Sequence, residues 1–335
     1  MKKLFIVLCL SLFIAGLTCT SAYAGTSFAV NSDRLLYGVN LDLNDTDLIF
    51  RVQEINGTKI FYVQYKGFLG EAMTGYLPVI AMNSKGLLVA CQIQSPPATY
   101  TVDQTVQTVE IGALTMDAAA EYGSVDQILE HVGGKLPINS EASLHSLFAD
   151  ALGAALVLET GNPVLKRTDS FTLLTDLPFN SADSRYSGKI EEEDSAGYEG
   201  ISQLIEKNLS DFNEDKAFEV LQNASKIWKG GGTKCSMVFD PVSGEIFVVL
   251  DRDYSKIWKV SLEKAILETW EGFPQQKTFY IGGGVTSSEL LSQDSFIKKY
   301  GVYLVFTGGI LAWIILGSIA RKRRLKAFKP KEMEW

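Results

Sequence analysis

The most constraining feature of this chain is the segment from Tyr23 to Asn44, which reads YAGTSFAVNSDRLLYGVNLDLN. Thr26–Val30 and Leu35–Val39 are short runs of β-prone residues, and Asn31-Ser32-Asp33 between them has the composition of a tight turn. The segment therefore predicts a β-hairpin. The predicted hairpin directly follows a candidate cleavage site. Cleavage behind Ala24 would therefore place the first strand beside a new α-amino group.

The N-terminal residues have the pattern of a secretory signal. Met1-Lys2-Lys3 is a basic start, Leu4–Leu17 is apolar, and Ala22-Tyr23-Ala24 has small residues where signal peptidases require them. Residues 1–24 are therefore predicted to be a signal peptide. A permanent anchor is the alternative, but the apolar run has only about 14 residues, whereas a spanning helix needs about 20.

The C-terminal residues predict a membrane span. Residues 301–320 form an uncharged apolar run of about 20 residues, which is long enough to cross a bilayer. The basic residues Arg321–Arg324 follow at once, so the tail 321–335 is predicted to be cytoplasmic and the N-terminal domain extracytoplasmic. Residues 282–300 are rich in Gly and Ser and are predicted to be a stalk between the domain and the membrane.

Charge and residue counts exclude several classes of partner and site. Residues 25–300 contain 22 basic and 37 acidic residues, which argues against nucleic acid as a partner. Beyond the signal the cysteines are Cys91 and Cys235, which can form a disulfide or remain free thiols. With only His131 and His145 in the chain, we predict neither a metal site nor a cofactor.

Residues 25–281 are predicted to form one α+β domain. A second hairpin is expected from Leu48 to Tyr65, because Asn56-Gly57 is a strong signal for a type I′ turn. Further predicted elements are strands at 75–89, 154–159, 170–174 and 236–261, helices at 124–132, 140–152, 200–209 and 214–226, and a solvated loop at 180–198. The order of strands, helices and strands favours sheets covered by helices.

The predicted chain end suits a hydrolase whose first residue is the nucleophile. In such enzymes the α-amine of that residue takes the proton, and an α-amine with a pKa of about 7.7–8.0 is partly a free base at neutral pH. Here the residue behind the cleavage site is Gly25, which has no side chain with which to attack.

Five spaced segments resemble the choloylglycine hydrolase and penicillin V acylase family of linear amide C–N hydrolases. They are GTSFAV…LYGVNLD, LPVIAMNSKGL, LFADALGAALVLE, LLTDLP and KCSMVFD…IFVVLDRDYSKIWKVSL. The resemblance extends from about Gly25 to about Leu262, with the segments in the family order. It implies an N-terminal-nucleophile (Ntn) hydrolase-like αββα sandwich and a small acyl amide as ligand or substrate.

The resemblance also implies roles for individual residues. Gly25 occupies the position of the family's Cys nucleophile, and Asp42 matches the carboxylate that orients the N-terminal amine. Asn83 matches an Asn that stabilises the oxyanion, a kind of donor that is typically worth about 2.7–4 kcal/mol of barrier. From the residues alone, Asp42 can equally be a turn-capping residue, and Asn83 is favoured as the residue that forms the turn between two strands.

Two more positions depart from the family pattern or are open to a second interpretation. Asp176 stands where the family has Asn, and a carboxylate there would repel a developing oxyanion unless it is protonated. Arg185 matches an arginine near the family's site, although a surface-loop arginine is the alternative.

Three functional hypotheses follow. The first is a weak or inactive amidase that keeps a binding pocket, because Gly25 replaces the nucleophile. The second is an active acyl-amide hydrolase in which Cys19 or Thr26 becomes the N-terminal nucleophile after a different cleavage. The third is a non-catalytic interaction ectodomain. The sequence gives no prediction of the oligomeric state.

Overall fold

A computed structural model describes residues 25–69, 73–98, 100–101, 105–139, 142–162, 164–167, 169–179 and 192–294. The predicted signal peptide, the apolar run 301–320 and the basic tail lie outside these residues. Within the described part of the chain, no helix is long and apolar enough to cross a membrane. The chain divides into one unit that ends at Ser287 and a second that begins at Ser288, of which residues 288–294 are described.

The described strands are, in chain order, β1 Gly25–Asn31, β2 Leu35–Asn44, β3 Leu48–Ile55, β4 Thr58–Leu69, β5 Met73–Asn83, β6 Leu88–Ile93, β7 Thr108–Glu110, β8 Leu136–Ile138, β9 Leu144–Ala149, β10 Ala155–Glu159, β11 Leu165–Arg167, β12 Phe171–Leu174, β13 Ile227–Trp228, β14 Gly231–Asp240, β15 Glu245–Leu250, β16 Ile257–Ser261, β17 Ile266–Glu271, β18 Thr278–Tyr280 and β19 Val285–Thr286. The described helices are α1 Ile111–Glu121, α2 Val125–Val132, α3 Glu192–Asn208, α4 Glu214–Asn223 and α5 Ser287–Asp294, with a 3-10 turn at Leu209–Asp211.

Most of the strands form two large antiparallel sheets. The first sheet has the order β12-β1-β2-β14-β15-β16-β17-β18, with β13 paired to β14, and the second has the order β11-β10-β9-β6-β5-β4-β3-β19. Strand β1 therefore lies between β12 and β2 in the first sheet. A separate parallel pair, β7 and β8, completes the described strands.

The two sheets form the middle layers of a four-layer sandwich. Phe28 and Val30 of the first sheet pack in one core with Phe218 and Leu221 of α4. The outer face of the second sheet packs against α1 and α2 in a second core. Between the sheets, Phe61 of β4 stands 6.4 Å, centroid to centroid, from Phe239 of β14. The layers are thus helix, sheet, sheet and helix, as the resemblance implied.

Both predicted hairpins are confirmed. β1 and β2 pair from Gly25↔Leu41 to Asn31↔Leu35, and β3 and β4 pair up to Ile55↔Thr58. Asn56 has φ 51° and Gly57 has φ 76°, and a positive φ at both central residues is what a type I′ turn requires.

The predicted helix at 140–152 is wrong, because its apolar core is strand β9. Leu144, Leu147 and Phe148 have helical spacing, but His145 and Ser146 between them are also fully buried. β9 is an inner strand of the second sheet, with the helix layer on one face and the first sheet on the other, so side chains on both faces are buried and the alternation that marks a half-buried strand is absent.

Other differences concern the helices and the stalk. Helix α1 was not predicted, and helix α3 begins at Glu192 inside the predicted loop 180–198. Val285, in the segment predicted as a stalk, pairs with Phe50 in β3. The helix at 124–132 is confirmed as α2, in which the hydroxyl of Ser124 accepts a hydrogen bond from the Gln127 N–H.

Candidate functional site

The candidate site is built around the start of β1, whose side chains alternate between two layers of the sandwich. Phe28 lies in the core beneath α4, so Thr26, two residues earlier, is on the same face. Gly25 and Ser27 are on the opposite face, toward the second sheet. There the side chain of Gln92, from β6, comes close to Gly25.

The position of Gly25 has no room for a side chain. A Cβ atom added there would lie 2.6 Å from the backbone oxygen of Asn40 and 3.2 Å from Nε2 of Gln92. The first distance is well inside van der Waals contact and involves backbone of the neighbouring strand, which cannot rotate away. A nucleophilic side chain at this position would require β1 or β2 to shift.

Asp42, in β2, is fully buried, and its two carboxylate oxygens differ in their hydrogen bonding. Oδ1 accepts a hydrogen bond of 2.6 Å from the hydroxyl of Thr233, while Oδ2 has no hydrogen-bond partner among the described residues. Burial raises the pKa of Asp42 to about 6, against the lowering effects of the Thr233 hydroxyl and the positive charge of Lys226. Asp42 can therefore change its charge near neutral pH.

A cavity of about 520 Å³ opens on the Thr26 face of β1. Polar groups from β1, from the segment after β12 and from the C-terminal end of α4 and the residues behind it line one part of the cavity, and small and apolar residues of α3 line the other. The lining residues are Thr26, Thr175, Asp176, Gly197, Tyr198, Gly200, Ile201, Leu204, Asn223, Ala224, Ser225 and Lys226. Such a mixture of an apolar wall and a few polar groups is typical of a small-molecule site.

Asp176 forms an ion pair with Lys226 in the wall of this cavity. Nζ of Lys226 donates to Oδ2 of Asp176 over 2.8 Å, and the two side chains are 40% and 21% exposed respectively. The predicted repulsion between Asp176 and an anionic ligand group is therefore offset locally by a positive charge. The backbone oxygen of Asp176 accepts from the Ser95 N–H, which ties this segment to the end of β6.

The side chain of Asn83 is engaged in a turn at the other end of β6. Its Nδ2 donates to the backbone oxygens of Ala119 and Tyr122 at the end of α1, and its Oδ1 accepts from the backbone of Lys85 and Leu87. From the start of β6 to Gln92 the strand extends roughly 13 Å. The structure thus brings Gln92, rather than Asn83, next to Gly25.

Two of the predicted site residues, Cys19 and Arg185, lie outside the described residues. The remaining cysteines, Cys91 and Cys235, are free thiols. Burial raises the pKa of both thiols, which favours the unreactive protonated form.

The site residues that sequence reasoning missed include Gln92, Lys226 and Thr233. Gln92 interrupts a buried strand with a polar side chain, which is a signal that could have found it. Lys226 and Thr233 carry no comparable signal, because surface lysines and strand threonines are common. Their positions depend on the pairing of β2 with β14 and on the turn after α4.

No protein-family model matches this chain, and no curated protein sequence matches it. Among solved structures, a variant of conjugated bile acid hydrolase from Clostridium perfringens is similar, with a TM-score of 0.52, 13% identity and coverage of 76% of this chain and 96% of that chain. Penicillin V acylase from Agrobacterium tumefaciens is similar with a TM-score of 0.53, 14% identity and coverage of 73% and 91%. The chain therefore has the Ntn-hydrolase-like fold of these two proteins.

Proposed function

We propose that this chain is a member of the choloylglycine hydrolase and penicillin V acylase family that binds a small acyl amide and hydrolyses it weakly or not at all. The shared fold supports the family, because it extends over more than nine-tenths of both solved structures. The cavity beside Thr26 supports the ligand, because it offers an apolar wall for an acyl group and polar groups for an amide.

The observation that carries the loss of hydrolysis is the packing at Gly25. A glycine supplies no nucleophile, and the backbone oxygen of Asn40 and the amide of Gln92 leave no space for one. Asp42 and the Asp176–Lys226 pair remain in place nearby, and these groups can bind a polar ligand without a nucleophile.

Binding and turnover of one simple amide test this proposal. The exported full chain is titrated with N-octanoyl-4-nitroanilide by calorimetry, and release of the coloured amine is followed in parallel. We expect saturable binding without release of the amine and without covalent labelling by an electrophilic acyl probe. Labelling of the first residue of the mature chain, or steady turnover, would overturn the inactive assignment.

An active hydrolase is the second candidate, and the position of Thr26 favours it. Thr26 lines the cavity together with Asp176 and Lys226, whereas Gly25 faces the other sheet. If Gly25 were removed with the leader, the α-amine of Thr26 could accept the proton of its own hydroxyl. Cys19 is the other alternative nucleophile. Mass spectrometry of the mature N-terminus distinguishes these cases, because a chain starting at Gly25 excludes both nucleophiles.

We further propose that the domain is exported and anchored by residues 301–320, with the basic tail in the cytoplasm. The sequence patterns at both ends support this topology. A protease added to intact cells should remove the domain and leave a tag behind residue 335 protected. Digestion of the tag in intact cells would contradict the proposal.

A further inference from the structure

Thr233 is a buried hydroxyl residue at the start of β14 whose polar groups are all engaged. Its hydroxyl donates to Oδ1 of Asp42 over 2.6 Å and accepts from the backbone N–H of Lys226 over 2.9 Å. Its own N–H donates to the backbone oxygen of Lys226, and its backbone oxygen accepts from Nη1 of Arg252, both over 2.9 Å. One residue thus connects three parts of the site.

The direction of these hydrogen bonds is fixed by chemistry. A threonine hydroxyl has one proton, and the N–H of Lys226 can only donate, so the proton of Thr233 points to Asp42 when that carboxylate is ionised. The chain of bonds therefore runs from the Lys226 N–H through the Thr233 hydroxyl to Asp42. Bonds in such a chain polarise and strengthen one another.

The hydrogen bond from Thr233 also restricts the rotation of the Asp42 carboxylate and leaves Oδ2 as its second acceptor. With Oδ1 held, the carboxylate cannot rotate without losing that bond, and Oδ2 is the oxygen left without a partner among the described residues. The same hydroxyl holds the backbone of Lys226, whose side chain pairs with Asp176 in the cavity wall.

We propose that Thr233 is the positioning residue of this site: its hydroxyl orients the Asp42 carboxylate and fixes the cavity wall at Lys226, so that the two move as one unit. This goes beyond the proposed function, and only its ligand-binding consequence rests on that function. Loss of the hydroxyl leaves the partly buried Lys226 N–H and a second Asp42 carboxylate oxygen without this partner, and therefore loosens both.

The groups that surround Asp42 define a direct readout. Lys226 and Arg252 favour its charged form and Asp176 disfavours it, while the Thr233 hydroxyl is the hydrogen bond that favours the charged form. Removing that donor should raise the pKa of Asp42 further. A residue that acted only by filling space would leave this titration unchanged.

The test compares Thr233→Val with Thr233→Ser in the full chain. Valine keeps the shape and removes the hydroxyl, while serine keeps the hydroxyl. Carboxyl-carbon NMR of the labelled protein, with the Asp42 signal assigned from Asp42→Asn, gives the titration of Asp42. Calorimetry with N-octanoyl-4-nitroanilide gives the affinity. Thr115→Val is the matched control, because Thr115 is a buried threonine that hydrogen-bonds Ser146 beside α1.

We expect the valine variant to titrate Asp42 at higher pH and to bind the amide about tenfold more weakly or worse, and the serine variant to match the wild type. An unchanged Asp42 titration in the valine variant would overturn the proposal. If the valine variant does not fold, Thr233→Cys is measured in its place. The thiol is a weaker hydrogen-bond donor than the hydroxyl, so the pKa of Asp42 should still rise above its wild-type value, by less than complete loss of the donor would give. If the wild type binds no acyl amide, the proposed function fails, while the titration still decides the role of Thr233.

Discussion

At the scale of single residues, two features distinguish the site: Gly25 has no side chain, and the buried carboxylate of Asp42 accepts a hydrogen bond from Thr233. Gly25 starts β1 against the backbone of β2, and Asp42 lies buried one strand away with one oxygen bonded to Thr233. Two predictions follow from the packing of Gly25 and the burial of Asp42.

Gly25→Ala should destabilise the protein. Alanine normally lowers the free energy of a strand relative to glycine by up to about 1 kcal/mol, but its Cβ here would lie 2.6 Å from the Asn40 oxygen. Overpacking of this kind typically costs about 1–3 kcal/mol, so the clash should dominate. Urea unfolding measures the change. Gly197→Ala is the control, since the Cβ there meets nothing within 4 Å and should not destabilise; equal effects of the two substitutions would contradict the packing argument.

Asp42→Asn should remove a pH dependence of stability. The pKa of Asp42 is raised in the folded state from its ordinary 3.8 to about 6, so the folded protein binds the proton more tightly than the unfolded chain. Its burial therefore destabilises the fold progressively from about pH 4 to pH 6, by about 3 kcal/mol in all above that range. Asparagine keeps an acceptor for Thr233 without the charge.

The measurement for Asp42→Asn is the difference in unfolding free energy between variant and wild type at pH 4 and at pH 8. We expect the variant to gain stability relative to the wild type as the pH rises. Other titrating groups affect both proteins alike and cancel in the comparison. A difference that is the same at both pH values would show that Asp42 titrates normally.

At the scale of elements, helix α3 and the segment after α4 form the cavity walls on the Thr26 face of the first sheet. Gly197 and Gly200 are one turn apart on α3, and both line the cavity. A Cβ added at Gly200 would meet nothing within 4 Å, so the glycine leaves open space that a ligand could occupy.

Gly200→Leu should therefore block ligand binding without unfolding the protein. Leucine is a better helix former than glycine by roughly 0.5–1 kcal/mol, so stability should be kept or increased. Calorimetry with N-octanoyl-4-nitroanilide should show at least about a tenfold loss of affinity, which corresponds to 1.4 kcal/mol. Gly200→Ala is the matched control and should bind nearly as the wild type does. Unchanged affinity of the leucine variant would place the ligand elsewhere.

At the scale of the whole molecule, the two sheets pack against each other through buried aromatic side chains. Phe61 is fully buried, and its ring lies 6.4 Å from those of both Phe50 and Phe239. Phe50 is in the same sheet as Phe61 and Phe239 in the other, so this cluster connects the two sheets.

Phe61→Ala should destabilise the domain by about 3–5 kcal/mol, because it removes a large buried side chain and leaves a cavity. Chemical unfolding gives the value, and Val242→Ala at a side chain that is 73% exposed serves as the control, with an expected change within about 0.5 kcal/mol. A small effect at Phe61 would mean that the sheets can repack around the loss.

Local sequence determined the elements whose signals are local. The hairpin around Asn56-Gly57 and the capped helix behind Ser124 were predictable because turn chemistry and an N-cap act within four residues. Strand β9 was not, because a segment buried on both faces loses the alternation that would distinguish it from a helix. Helix α3 began earlier than predicted because its first turns are polar and carry no apolar stripe.

By itself, the sequence determined that two paired strands begin at Gly25, a residue that has no side chain to act as a nucleophile. Only the tertiary structure decided that Gly25 and Thr26 face different layers, that Gln92 and not Asn83 stands next to Gly25, and that Thr233 holds Asp42. The physical reason is that backbone turns and caps depend on neighbouring residues, whereas these contacts join strands and loops up to about 190 positions apart, and strand pairing across the sandwich brings them together.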